Sequence, residues 1–293
     1  MSTLPPRAVV VHRRTELDEL IARHGTKGQA EFFLSTRGRS MEELEERHRA
    51  NQQALDAVSV AIPADWRSGR VERADLDRFL FAPDDVVVIV GQDGLVANVA
   101  KYLDGQPVLG IDPEPLRNPG VLVTHPAADA AALLRGLPIA QHRTMVAATT
   151  DDGQQLLALN EVYVGQPTHQ TARYAIRPPG GSRERQASSG IIIATGTGST
   201  GWCRSTWLER HSHLSLPAPD ERRLLWFVRE AWPSPATSTE LTEGELTDTD
   251  LRVDIESDGL VAFGDGMEED RLILTWGQTL TVSVAQQTLH MVG

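Results

Sequence analysis

The chain has 293 residues, 40% of them hydrophobic, and a formal charge of −12 at pH 7. That length holds two domains and the composition is that of a globular protein, while the acidic balance, without any long basic run, argues against nucleic acid or anionic membrane as the main partner. Cys203 is the only cysteine, so an internal disulfide and a Cys-rich zinc site are excluded and a reducing cytosol is the expected compartment. The amino terminus, Met1-Ser2-Thr3-Leu4-Pro5-Pro6-Arg7, runs into Ala8-Val9-Val10-Val11, an apolar stretch too short for a secretion signal or a membrane span. No later stretch reaches bilayer length, and a cytoplasmic protein is expected.

Ala8 to Val11 reads as a first buried strand, and Glu16 to His24 as a helix capped by Thr15 and stopped by Gly25. A second helical pattern runs from Ser40 to about Val60, with Met41, Leu44, Leu55 and Val58 at helical spacing, Glu43 expected to complete a capping box with Ser40, and His48 on a charged, solvated face. A weak helix is expected from Glu72 to Phe81. Then comes the stretch on which the chain turns. Asp84-Asp85-Val86-Val87-Val88-Ile89-Val90 reads as a strand buried on both faces, Gly91-Gln92-Asp93-Gly94 as a tight turn, and Leu95 to Leu103 as a helix. Such a turn leaves backbone N–H groups pointing outward at a helix N-terminus, where an anion is favoured. An acidic residue inside it needs a reason: Asp93 is either a helix cap or a general base for a hydroxyl that attacks a phosphate. Pro107 to Asp112 is another buried strand, so Asp93 and Asp112 fall at the carboxyl ends of strands, where ligands sit in doubly wound sheets.

After Thr124 the texture changes. A small helix, Ala127 to Arg135, precedes strand-like runs over Arg143 to Ala148, Gln155 to Val164, Arg173 to Arg177 and Gly190 to Thr195, with turn signals at Asp151-Asp152-Gly153 and Pro178-Pro179-Gly180-Gly181. Pro217 to Asp250 is expected to be loop around one strand, Leu224 to Val228, with Ser234 to Glu245 its most mobile part. Leu251 to Ile255, Leu260 to Phe263, Arg271 to Thr275 and Thr279 to Val284 are again strand-like. The reading is α/β plus β: a Rossmann-like α/β domain over residues 1–124 and a β-rich, sandwich-like domain over 125–293, the final residues returning to the first.

Gly196-Thr197-Gly198-Ser199-Thr200-Gly201 satisfies G-x-G-x-x-G. The segment after it, a possible helix from Trp202 to Arg210 and then His211-Ser212-His213 and prolines, is not the helix and parallel strand of a dinucleotide fingerprint. Its hydroxyls and N–H groups leave the glycine-rich run open as a grip for ribose or phosphate, or as a structural turn. Asn160-Glu161, between apolar strand segments, binds ligand hydroxyls or satisfies neighbouring backbone. His211, His213 and Cys203 match no metal spacing, and no metal ligand is assigned.

Taken together, Gly91-Gln92-Asp93-Gly94, Leu159-Asn160-Glu161-Val162 and Thr195-Gly196-Thr197-Gly198-Ser199-Thr200, in this order, resemble the NAD kinase family. Gly110-Ile111-Asp112-Pro113-Glu114-Pro115, Ser188-Ser189-Gly190, Glu46-Arg47-His48 and Asp265-Gly266 bring the likeness closest to its mitochondrial-type branch. The resemblance implies an ATP-dependent kinase acting with a divalent metal, Mg2+, on the 2′-hydroxyl of the adenosine ribose of NAD or NADH, in a homodimer or higher homo-oligomer. It implies that Asp93 is the base, that Gly91, Gln92 and Gly94 form the phosphate turn, and that Asn160 and Glu161 hold ribose and nicotinamide-side groups. Thr195, Thr197, Gly198, Ser199, Thr200, Gly201, Trp202 and Ser205 would line the dinucleotide site, Trp202 standing where the family has a tyrosine beside the adenine. Two departures touch the donor turn: Gln92 replaces a glycine, and Leu95 a threonine. The alternatives are a dinucleotide-binding protein with a degenerate donor site and a kinase for another hydroxyl acceptor.

Overall fold

The computed structural model describes residues 5–115, 117 and 120–293. Met1-Ser2-Thr3-Leu4, read above as leading into the first strand, lies outside the described residues. The chain divides into two compact units, residues 1–141 with 290–293, and residues 142–289.

The first unit contains β1 (Arg7–His12), α1 (Glu16–His24), α2 (Lys27–Ser35), α3 (Met41–Ala61), β2 (Arg67–Glu72), β3 (Asp85–Val90), α4 (Asp93–Ala100), β4 (Pro107–Asp112), the two-residue β5 (His125–Pro126) and α5 (Ala130–Gly136). Its sheet runs β2-β1-β3-β4 with every pair parallel, and His290 and Met291 pair in parallel with Pro107 and Val108 on the outer side of β4. All six residues of β3 are buried, as a parallel strand covered on both faces requires. At the foot of that strand the fully buried Asp85 accepts from Arg7 Nε at 2.7 Å and from the Ala82 N–H at 2.7 Å, so its charge is paired rather than stranded.

Thr15 caps α1 with a reciprocal Asp18 box and Gly25 ends it at φ 80°, as its sequence signals. Thr26 then caps α2 by accepting the Gln29 N–H, an element its glycine and polar residues did not announce. The expected Ser40–Glu43 box does not form: Ser40 accepts from the Glu42 N–H, and the Glu43 carboxylate pairs with Arg117 at 3.2 Å. His48 lies not on a bare solvated face but 2.9 Å from Thr15 Oγ1, tying α3 to the α1 cap. The weak helix shrinks to a 3-10 turn over Arg73–Arg78, preceded by the unanticipated β2.

The second unit begins inside β6 (Ile139–Thr150) and continues through β7 (Gln155–Ala158), β8 (Glu161–Gly165), β9 (Ala172–Arg177), β10 (Glu184–Ser188), β11 (Gly190–Ala194), α6 (Trp202–Glu209), β12 (Leu224–Arg229), β13 (Glu243–Leu246), β14 (Leu251–Ile255), β15 (Leu260–Gly264), β16 (Arg271–Leu274) and β17 (Thr279–Val292). One antiparallel sheet runs β13-β12-β11-β8-β15-β16; another contains β10-β9-β14-β17, with β6 joining β17 and β7. Alternate residues of both sheets, among them Val162, Ile191, Ile193, Tyr174, Val253 and Val282, share one buried cluster. This is the sandwich arrangement.

Two expectations in this unit are corrected. The run from Gln155 to Val164 is not one strand; it breaks at Leu159 and Asn160 between β7 and β8. Within the segment expected to be loop, Glu243–Leu246 forms β13, because Gly244 leaves its backbone room to lie against the Trp226 ring, 2.7 Å from where a Cβ would stand.

Candidate functional site

In the first unit, β3 ends at Val90 and α4 begins at Asp93, so Gly91 and Gln92 are the whole turn. The Gly91 N–H donates to Ile111 O at 3.1 Å, fastening the turn to the end of β4. A Cβ on Gly91 would stand 3.2 Å from Cδ2 of the buried Leu95, so the leucine packs on the turn from inside. Gln92 has φ −120° and ψ 164°, extended values open to any residue, so its side chain imposes no strain. It stands at the N-cap without a side-chain hydrogen bond, leaving the first N–H groups of α4 without a side-chain cap. Gly94 is exposed, with open space where a Cβ would be.

Asp93 does not cap its helix. Its Oδ2 accepts from the Val121 N–H at 2.8 Å, and its Oδ1 from the Leu122 and Val123 N–H groups at 2.9 and 3.0 Å. Neighbouring glycines make this possible. A Cβ on Gly120 would collide with Asp93 Oδ1, and one on Gly110 of β4 would collide with Leu122 O and stand 2.9 Å from Val123 Cα. Asp112, at the end of β4, is 7% exposed and accepts the Glu114 N–H at 2.7 Å. Burial pushes its carboxyl pKa up against the lowering effect of that bond, and the charges of Glu114 and Asp93 push the same way.

In the second unit two of the motifs meet. Thr195 Oγ1 donates to Leu159 O at 2.5 Å and accepts the Thr197 and Gly198 N–H groups, while the Thr195 N–H donates to Asn160 O. A Cβ on Gly198 would collide with the Asn160 carbonyl, 2.7 Å from its carbon, and one on Gly196 would collide with the Ala218 carbonyl. These glycines serve close backbone approach, not a dinucleotide fingerprint: β11 leads through a 3-10 turn and α6 to the antiparallel β12. Thr197 is 2% exposed and its hydroxyl has no hydrogen-bond partner. Ser199 Oγ donates to Thr195 O, Thr200 Oγ1 to Thr197 O, and Thr200, Gly201 and Ser205 are exposed. Trp202 stacks on Tyr163 with ring centroids 5.6 Å apart, and the Arg229 guanidinium stands 5.2 Å from the Trp202 ring.

The break before Glu161 has its own clamp, Asp265, a residue outside the candidate site residues named from the sequence. It accepts the Leu159 N–H at 2.8 Å, the Asn160 N–H at 2.7 Å and the Glu161 N–H at 3.3 Å, from a left-handed backbone with φ 53°. Its only sequence signal was the Asp265-Gly266 pair. Burial pushes the Glu161 carboxyl up to about 7, with the Asp265 charge adding to the rise. The folded chain therefore holds a proton between the ordinary carboxylate range and pH 7 that the unfolded chain has lost, and stability falls as pH rises through that window. Glu161→Gln is expected to match the wild type near pH 5 and to exceed it at pH 8 by on the order of 1–3 kcal/mol. Thermal melts at the two pH values check this; a variant no more stable at pH 8 would mean the carboxyl ionises without cost.

Among the described residues no group of three or more His, Cys, Asp or Glu is arranged to hold a metal ion, and burial pushes the Cys203 thiol up to about 11, away from nucleophilic use. No helix of the described residues is long and apolar enough to cross a membrane.

No family model matches the chain. It is similar to NAD kinase 2, mitochondrial, of Rattus norvegicus, 28% identical over 252 residues that cover 68% of this chain and 59% of the rat protein. The corresponding human protein is 26% identical over 312 residues, covering 77% of this chain and 71% of that one. The chain thus spans about three fifths of the rat protein and seven tenths of the human one. In fold it is similar to the crystal structure of an NAD kinase from Archaeoglobus fulgidus in complex with ATP, with a TM-score of 0.59 and 17% identity over 98% of this chain and 93% of that chain.

Proposed function

We propose, from the premise that the chain resembles the NAD kinase family in sequence and in two-domain fold, that it transfers the terminal phosphoryl group of ATP to the adenosine-ribose 2′-hydroxyl of NAD or NADH. The observation that carries this reading is the meeting of the second and third motifs in the second unit, where Gly198 lies on the Asn160 backbone and the buried Thr197 hydroxyl is left without a partner. An orphaned buried hydroxyl costs about 1–3 kcal/mol, a cost that a polar group of a bound dinucleotide would remove. On this reading Asn160, Glu161 and the Thr195 to Gly201 loop with Trp202 and Ser205 hold the dinucleotide. The Gly91-Gln92-Asp93-Gly94 turn faces the phosphates with the uncapped N–H groups of α4. Asp93 takes the proton of the 2′-hydroxyl as its oxygen bonds to the γ-phosphorus, the bond from that phosphorus to the β-bridging oxygen breaks, and ADP leaves. Magnesium, arriving with the triphosphate, would neutralise its charge. A homodimer or larger homo-oligomer in the cytoplasm completes the proposal.

Two observations favour a second reading, a dinucleotide-binding protein without kinase activity: Leu95 packs on the donor turn, and the Asp93 carboxylate is already engaged by three N–H groups. Purified protein given ATP, magnesium and either NAD or NADH decides between the two. NADP or NADPH formation is the expected outcome. Absence of turnover, with NAD binding intact by calorimetry, would establish the second reading instead.

A further inference from the structure

We propose that the consecutive N–H groups of Val121, Leu122 and Val123 are a phosphate subsite that the Asp93 carboxylate fills in the free protein, and that an incoming nucleotide phosphate takes it by displacing Asp93. The inference rests on the phosphoryl-transfer reading above and extends it to how the base becomes available.

Three successive N–H groups converge on one carboxylate at 2.8, 2.9 and 3.0 Å. Successive backbone donors of this kind form an anion-binding concavity that takes phosphate oxygens as readily as carboxylate oxygens. Two of the three donors are held independently of their present occupant. The Leu122 and Val123 side chains are buried at 2% exposure, and their backbone lies against β4 at Gly110, so these two N–H groups stay aimed if the carboxylate leaves, while the exposed Val121 continues the same run. Only these N–H groups hold the occupant: among the described residues no lysine or arginine pairs with Asp93. The neighbouring Asp112 carboxylate repels it.

Asp93 also stands in the first turn of α4, one residue before the open Gly94. A phosphate arriving at that helix end arrives beside the carboxylate. Three of the roughly four acceptor positions of a carboxylate are occupied here, which leaves little capacity to receive a substrate proton. Exchange of carboxylate for phosphate would fill the N–H groups and free the base in one event, with no bond made or broken beyond hydrogen bonds. Phosphate binding then licenses proton abstraction.

The test is a titration of the full-length protein with inorganic tripolyphosphate and magnesium, followed by calorimetry and by the backbone amide resonances of Val121, Leu122 and Val123. Asp93→Ala empties the subsite and is expected to bind tripolyphosphate at least tenfold more tightly than the wild type, with those three amides shifting. Asp112→Asn removes a nearby negative charge while leaving the subsite filled, and is expected to change the affinity less than threefold. Equal tightening in both variants would reduce the effect to charge and overturn the proposal, as would amides that do not respond. Should Asp93→Ala fail to fold, the wild-type titration decides: shifts at the three amides support the exchange, and silence there refutes it. Tripolyphosphate binding is read without turnover, so a protein that makes NADP with unresponsive amides would sink this inference alone, and responsive amides without NADP formation would sink the kinase reading alone.

Discussion

Asp93→Asn is expected to lower NADP formation by about 10²–10⁴-fold, the range for loss of a positioned general base, while the protein remains folded. The substitution keeps the shape of the side chain. Its one carbonyl oxygen can still accept from Leu122 and Val123, the two donors now on Oδ1. Its amide nitrogen would face the N–H of Val121, where two donors oppose each other. That mismatch and the lost charge should cost about 1–3 kcal/mol, enough to move the melting temperature by several degrees but not to abolish the fold. The rate effect should exceed what the structural loss explains, because the asparagine amide cannot take the 2′-hydroxyl proton. Turnover measured alongside a thermal melt separates the two, and a folded variant within tenfold of wild-type activity would remove Asp93 from the role of base.

Gly198→Ala is the second large effect, and it falls on the acceptor half of the reaction. A methyl group at this position has nowhere to go, since it would collide with the Asn160 carbonyl and stand 2.7 Å from its carbon. Both sides of the contact are backbone, so no side-chain rotation relieves it. Overpacking of this kind costs about 1–3 kcal/mol and occasionally more, which for a unit of this size lowers the melting temperature by roughly 2–12 °C. The shift would also break the Thr195 bonds that fix Leu159 and Asn160, so NAD affinity should fall at least tenfold. Calorimetry with NAD below the melting temperature checks it. An alanine variant with wild-type NAD affinity would mean the contact between the two motifs has no part in binding.

These two positions mark what the sequence could and could not convey. The strand, turn and helix around Asp93 were legible because the run from Val86 to Val90 is uninterrupted and ends in glycine. The partners of Asp93 were not, since they lie 28 to 30 residues away and are backbone N–H groups, which look alike at every residue. The Asn160 break was hidden for the same reason. Apolar residues surround it on both sides, and the carboxylate that bends it sits about a hundred residues on, at Asp265. The β-rich character of the second unit was plain from its short apolar runs and turn residues, whereas β10 and β13 carry charged residues and showed themselves only through their pairing. The helix α2 was obscured by Gly28 and by an exposed Phe32 that blurs its apolar face. In the Thr195 to Gly201 loop the pattern of glycines was visible, but the backbones that Gly196 and Gly198 make room for, at Ala218 and Asn160, were not.

The pairing of His290 and Met291 with Pro107 and Val108 bears on the order of events during synthesis. The parallel sheet of the first unit receives its last neighbour only after every residue of the second has been made. Until then the outer edge of β4 at Pro107 and Val108 stands open, a row of unsatisfied strand donors and acceptors on a nascent chain. Pairing along this edge of the first unit therefore waits on the synthesis of His290 and Met291, with the whole of the second unit inserted before them.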